Sequence, residues 1–217
     1  MQSTLLLVLL ITGVALLFDY TNGFHDAANA IATSVATKAL KPKQALAIAA
    51  VGNLAGAFIS EGVAKTVGKG IIDVSHDNHG LVVVTAALFG AITWNLITWW
   101  FGLPSSSSHA LIGGLVGSAL AAAETVHWDG VVQKVAIPMV LSPIVGFTLS
   151  FFLVLALQWI FRNARRSRVN KPFRIGQVAA ASAMSLGHGL QDAQKTMGVI
   201  TLALVVGGYH PDDGSIP

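Results

Sequence analysis

From Thr4 to Thr37 the only charged side chains are Asp19 and Asp26, and comparable apolar runs return at residues 44–64, 81–102, 108–123, 135–161 and 175–208. A helix needs about 20 apolar residues to cross the hydrocarbon of a bilayer. The runs therefore predict an all-α, polytopic membrane protein with about six spans. As one straight helix the first run would reach about 50 Å, more than any bilayer core requires. A break is expected in Asp19-Tyr-Thr-Asn-Gly-Phe-His-Asp26, where Gly, Asn and two Asp gather. The fourth run is short and follows Pro104, which predicts a half-helix or a re-entrant hairpin.

Composition agrees with the pattern: 217 residues, 53% hydrophobic and 11% charged, with a mean hydropathy of +0.67. Neither a water-soluble globule nor a disordered chain has that balance. The net charge of +3 is too small to suggest nucleic acid. With no cysteine, disulfides, thiolate metal sites and a cysteine nucleophile are excluded. The apolar run opens at Leu5 and the first basic residue is Lys38, so no secretory signal is expected and the first segment is retained. Arg162, Arg165, Arg166, Arg168, Lys171 and Arg174 form the densest basic stretch. The positive-inside rule places it, with Lys38, Lys41 and Lys43, at the cytoplasm. The N-terminus and the stretches 65–80 and 124–134 then fall outside.

Compared with itself, the chain shows one internal match, between Gly23-Phe-His-Asp-Ala-Ala-Asn29 and Gly189-Leu-Gln-Asp-Ala-Gln-Lys195. Five spans separate the copies, so the second is expected to be inverted, the arrangement of secondary transporters with a mid-membrane site. Asp26, Asp192 and Lys195 fall inside predicted spans, where a charge costs at least about 2.5 to 3.5 kcal/mol on insertion scales. A lone aspartate there reads as a cap or an ion-pair partner. Two at matching repeat positions, beside Asn22, Asn29, Thr33, Gln191, Gln194 and Thr196, point to a site for a hard cation or a proton. Asp19 and Glu61 are expected to be solvated or paired.

Gly102-Leu-Pro-Ser-Ser-Ser-Ser-His109 carries the other chemistry. A helix start offers free amides and the positive end of its dipole, and Ser105 to Ser108 add hydroxyl donors, more than capping requires. Gly113, Gly114 and Gly117 allow close packing, which fits a half-helix aimed at an oxyanion. A hydrolase is disfavoured, since neighbouring helical residues diverge by about 100° and no acid orients His109. His25 and His188 read as packed histidines bonded to backbone. His76, Asp77 and His79 form at most a weak metal pattern within a solvated loop. Asn95 is expected to bond a neighbouring helix, and the tryptophans at 94, 99, 100, 128 and 159 to anchor span ends.

Three motifs, Asn22-Gly-Phe-His-Asp-Ala-Ala-Asn-Ala-Ile-Ala-Thr33, Phe101-Gly-Leu-Pro-Ser-Ser-Ser-Ser-His-Ala-Leu-Ile-Gly113 and Ser185-Leu-Gly-His-Gly-Leu-Gln-Asp-Ala-Gln-Lys195, together resemble the inorganic phosphate transporter (PiT) family. The resemblance implies an inverted-repeat carrier that moves inorganic phosphate, free or as a metal phosphate, with Na⁺ or H⁺ as the co-transported ion and no other cofactor. It implies phosphate at Ser105, Ser106, Ser107, Ser108, His109, Asn29 and Lys195, and coupling at Asp26, Asp192, Asn29 and Gln191. Gln191 stands where the family's second signature has Asn. The domains expected are a first repeat over 1–161, a basic cytoplasmic loop over 162–174, and the start of a second repeat over 175–217. The family's second serine/threonine-rich half-helix does not occur before Pro217. The chain is therefore expected to be partial, or to work as a homo-oligomer or with a separate second half, and to bind weakly without transporting alone. A phosphate-sensing or assembly subunit of the same fold is the alternative; an enzyme is not expected.

Overall fold

Apolar runs with nothing to break them become helices, and the order is α1 (Gln2–Ala36), α2 (Pro42–Ala57), α3 (Gly62–Lys69), β1 (Ile72–Asp73), α4 (Asn78–Trp100), α5 (Ser107–Ala121), β2 (Thr125–Val126), α6 (Trp128–Val131), a π-helical turn (Val132–Ala136), α7 (Ile137–Phe161) and α8 (Arg166–Val206). This computed structural model describes residues 2–59, 61–213 and 215–216. Among them, three helical stretches are long and apolar enough to cross a membrane: Thr4–Ala36, Asn78–Trp100 and Trp128–Phe161. Hydroxyls within the apolar helices are satisfied internally: Thr12 Oγ1 donates to Val8 O at 2.9 Å, Thr21 Oγ1 to Phe18 O at 2.8 Å and Thr85 Oγ1 to Leu81 O at 2.7 Å. Bonded back in this way, a hydroxyl presents no unmet polarity to lipid.

Four expectations change. α1 runs unbroken through Asp19–Asp26, because its polar side chains find partners on α8 and the backbone need not open for them. The predicted span 44–64 holds two helices, α2 ending at Ala57 and α3 beginning at Gly62. The fifth predicted span begins at Trp128 through the π-turn rather than at 135. The basic stretch 162–174 is mostly the opening turns of α8, not a loop.

The core joins Val8, Ile11, Ala15 and Phe18 of α1 to Leu81, Val84 and Leu88 of α4, Leu111 and Leu115 of α5, and Val199, Leu202 and Val206 of α8. α5 lies close on α4 because Gly114 has no Cβ: one there would run into Ala87 O. α7 buries none of its side chains, and its outward Phe, Leu and Val residues present the surface a bilayer accepts. Thr37 Oγ1 donates to Gln177 Oε1 at 2.6 Å, which brings the Lys38–Lys43 turn to the basic end of α8. At the other end, β1 and β2 pair antiparallel, Ile72 with Val126 and Asp73 with Thr125. The stretches 65–80 and 124–134, expected on one side, are joined there. Ser75 Oγ and N both donate to Glu124 Oε1, at 2.6 and 3.2 Å.

Candidate functional site

Helices α1 and α8 cross antiparallel, and their polar residues meet along the crossing. Thr196 Oγ1 donates to Asp19 Oδ1 at 2.9 Å. A turn on, Asn22 Nδ2 donates to Asp192 Oδ2 at 2.7 Å. One more turn brings Asp26 to His188 and Asp192, with one ligand atom from each within 4.8 Å of the others. Asn29 Nδ2 donates to Asp26 Oδ1 at 3.1 Å. The two aspartates of the matching heptads thus share one cluster.

Asp192 is its hub. Lys195 Nζ lies 2.6 Å from Oδ1, and His188 Nε2 lies 3.0 Å from Oδ2. Lys195 is 3% exposed and also donates to Ser107 Oγ at 2.9 Å. Burying an ammonium costs several kcal/mol unless it is paired and hydrogen-bonded, and Asp192 with Ser107 meets both conditions. Three carboxyls, Asp19, Asp26 and Asp192, thus gather along the crossing around one ammonium. Asn22 Oδ1, buried and without a partner among the described residues, sits on the amide that touches Asp192.

The serine run divides as the helix turns. Ser106 is the N-cap of α5 and accepts from His109 N at 3.3 Å. Ser107 is buried and meets Lys195. Ser105 accepts from Trp94 Nε1 at 3.0 Å, and with exposed His109 it lines a separate cleft with Gly90 and Gly113. Ser108 turns the other way, into a cleft of about 240 Å³ whose polar lining is Thr66, Ser108, Lys134, Gln191 and Lys195. That cleft has two lysines and no carboxylate. α5 begins beside it, and a helix N-terminus favours negative charge.

Gln191 therefore lies with Lys195 in the lysine-lined cleft and not among Asp26, His188 and Asp192. Lys134 was not foreseen; its signal was a single lysine at the edge of an apolar run, which ordinarily snorkels. His188 bonds Asn53 and Asp192 rather than backbone; the α2 partner Asn53 gave no signal in the sequence. The His25 side chain lies outside the described residues. Asn95 is buried with Nδ2 unpartnered among the described residues, not bonded across helices through that atom. Asp77 caps α4, accepting from His79 N and Gly80 N at 2.9 and 3.0 Å, and Glu61 pairs with Lys65 at 3.1 Å. The tryptophans are all exposed.

Residues 22–215 match the sequence pattern described as the phosphate transporter family. A protein of Streptomyces halstedii named a probable low-affinity inorganic phosphate transporter is 60% identical over 187 residues, 86% of this chain and 88% of its own length. A protein of the same name from Bacillus subtilis (strain 168) is 48% identical across the whole of this chain, which covers 66% of it. The low-affinity inorganic phosphate transporter PitA of Escherichia coli (strain K12) is 34% identical over 92% of this chain and 46% of its own length. The chain thus spans about two thirds of the Bacillus relative and about half of the Escherichia one. Among solved structures, one titled the sodium-dependent phosphate transporter superposes with a TM-score of 0.79 at 18% identity, covering 97% of this chain and 71% of that one. That likeness is one of fold.

Proposed function

The chain belongs to the phosphate transporter family, and on that premise we propose that it binds inorganic phosphate beside the start of α5 and couples its movement to Na⁺ or H⁺ held at Asp26 and Asp192. Phosphate docks in the cleft of Ser108, Thr66, Gln191, Lys134 and Lys195, with the Ser107 hydroxyl behind Lys195. The observation that carries the reading is Lys195 itself, one ammonium bonded to Ser107 on the anion side and to Asp192 on the cation side. A phosphate of charge one to two is repelled by Asp26 and Asp192 until a cation or proton neutralises them. The two ligands then bind better together than apart, which is the thermodynamic content of symport. The antiparallel crossing of α1 and α8 supports an inverted repeat that rocks about this site. Ser105, Ser106 and His109 act at the cap and its outer face, and Asn29 holds Asp26.

Liposomes test the reading. The chain is reconstituted together with the part of the Bacillus relative that it does not cover, and labelled phosphate is supplied under an imposed Na⁺ or pH gradient. Gradient-driven accumulation is the expected result. Phosphate binding without accumulation would instead favour the sensing or assembly subunit, and flux indifferent to both gradients would contradict coupling.

A further inference from the structure

Resting on the symport reading, we propose that Asn53 of α2 is a positioning residue of the coupling site: it holds His188 in the form that carries a hydrogen on Nδ1 and so turns Nε2 onto Asp192. Hydrogen-bond accounting leads there. Asn53 Nδ2 donates to Ala49 O at 2.8 Å, and the reverse amide orientation would set two oxygens against each other. Oδ1 is then the atom that faces His188 Nδ1 at 2.8 Å. A carbonyl oxygen only accepts, so Nδ1 must donate. The remaining ring nitrogen, Nε2, lies 3.0 Å from Asp192 Oδ2. A neutral ring of that tautomer offers a lone pair there, and so does the carboxylate. Two acceptors rest at that distance only when they share a positive charge, either a proton or the coupling cation.

Asn53 thereby keeps the His188–Asp192 contact dependent on an incoming charge. With its acceptor removed, the ring is free to move its hydrogen to Nε2. Nε2–H would donate to Asp192 directly, and the vacancy for the coupling ion would close. Fixing a histidine's tautomer through the far ring nitrogen is how outer groups tune metal-binding histidines, and losing such a partner typically costs about 10- to 100-fold in ion affinity. The helices are built for this reach. α2 and α8 meet backbone to backbone at Asn53 and Gly189, where a Cβ on the glycine would enter the Asn53 main chain. Gly56 likewise lies against the backbone of Leu186–Leu190. The groups around the ring are Asn53 from α2, Asn22 and Asp26 from α1, and Asp192 from its own helix.

The test uses the chain labelled with ¹⁵N-histidine in lipid nanodiscs, with His188→Gln to assign the His188 signals. The wild-type ring should show a protonated Nδ1. Asn53→Leu, which keeps the volume and loses the acceptor, should move the hydrogen to Nε2. Asn53→Asp, which keeps an acceptor at Nδ1, should restore the original form. In parallel, phosphate binding is titrated with NaCl and with acid. Asn53→Leu should raise the half-effective concentration of the coupling ion by about tenfold or more, with a smaller change in phosphate affinity at saturating ion. A wild-type ring with a bare Nδ1 and its hydrogen on Nε2, a ring unchanged by Asn53→Leu, or an unchanged half-effective ion concentration would each overturn the proposal. If the ring behaves as expected while wild-type phosphate binding ignores both ions, the symport reading fails and the placement of His188 by Asn53 stands.

Discussion

Asp192 touches Asn22, His188 and Lys195 at once, so its removal has the largest consequence at the scale of a single residue. Asp192→Asn leaves Lys195 buried with only Ser107, and an uncompensated buried charge costs about 3–5 kcal/mol. Denaturant titration in detergent should show a loss of that order, and an unchanged midpoint would mean that the ammonium is not buried. Ser107→Ala is milder. It removes one hydrogen bond from the ammonium, about 1–3 kcal/mol, and should weaken phosphate binding while leaving its ion dependence in place. Asp26, Asp192 and Lys195 were legible in the sequence because charges inside apolar runs are rare and expensive. Asn53 and Lys134 were not, since an amide in one helix and a lysine at a span edge acquire meaning only from what other helices bring beside them. The serine run was legible as a group. Its division, Ser107 and Ser108 toward the lysine and Ser105 and His109 away, follows from the helical turn and the N-cap at Ser106.

At the scale of elements, the expected break in α1 is the instructive miss. Polar residues and a glycine in mid-span look like a rupture when one helix is read alone, yet Asp19 and Asn22 are satisfied by Thr196 and Asp192 across the crossing. Gly23 has open space where a Cβ would stand, whereas a Cβ on Gly189 meets the Asn53 backbone. Gly23→Ala should therefore stabilise α1 by about 0.5–1 kcal/mol, while Gly189→Ala drives α2 off α8 and lowers stability. Thermal unfolding of the two variants checks this, and parallel effects at both glycines would contradict the unbroken helix. The paired turns at the far end make a second prediction. Ser75 donates twice to Glu124 and holds its carboxyl below the usual range, and the amides of Gly80 and His79 do the same for Asp77. A lowered folded-state pKa contributes stability that is present above the unfolded value and is lost as pH falls through the folded one. Amide exchange over 71–77 and 122–127 should accelerate on acidification into that range, and Ser75→Ala should reduce the pH dependence. Acid-insensitive exchange would show that the clasp does not depend on these carboxylates.

Viewed whole, the molecule is a polar crossing of two long helices flanked by apolar ones, with a lysine-lined cleft on one side of the crossing. The all-α membrane class was legible because hydrophobic runs of that length have few other solutions. The partition of 44–64 into two helices and the helical start of 162–174 were not, because neither changes the hydrophobic pattern from which spans are read. The central claim is that Asp26, Asp192 and Lys195 link an anion site to a cation site. Its most direct test is phosphate affinity of the reconstituted chain, measured against Na⁺ at fixed pH and against pH at fixed Na⁺, with phosphate's own protonation accounted for, in the wild type and in Asp26→Asn. Coupling between sites typically amounts to about 5- to 150-fold, so affinity should rise by that order with one of the two ions and lose the dependence in Asp26→Asn. Affinity indifferent to both ions, or full dependence surviving in Asp26→Asn, would contradict the account.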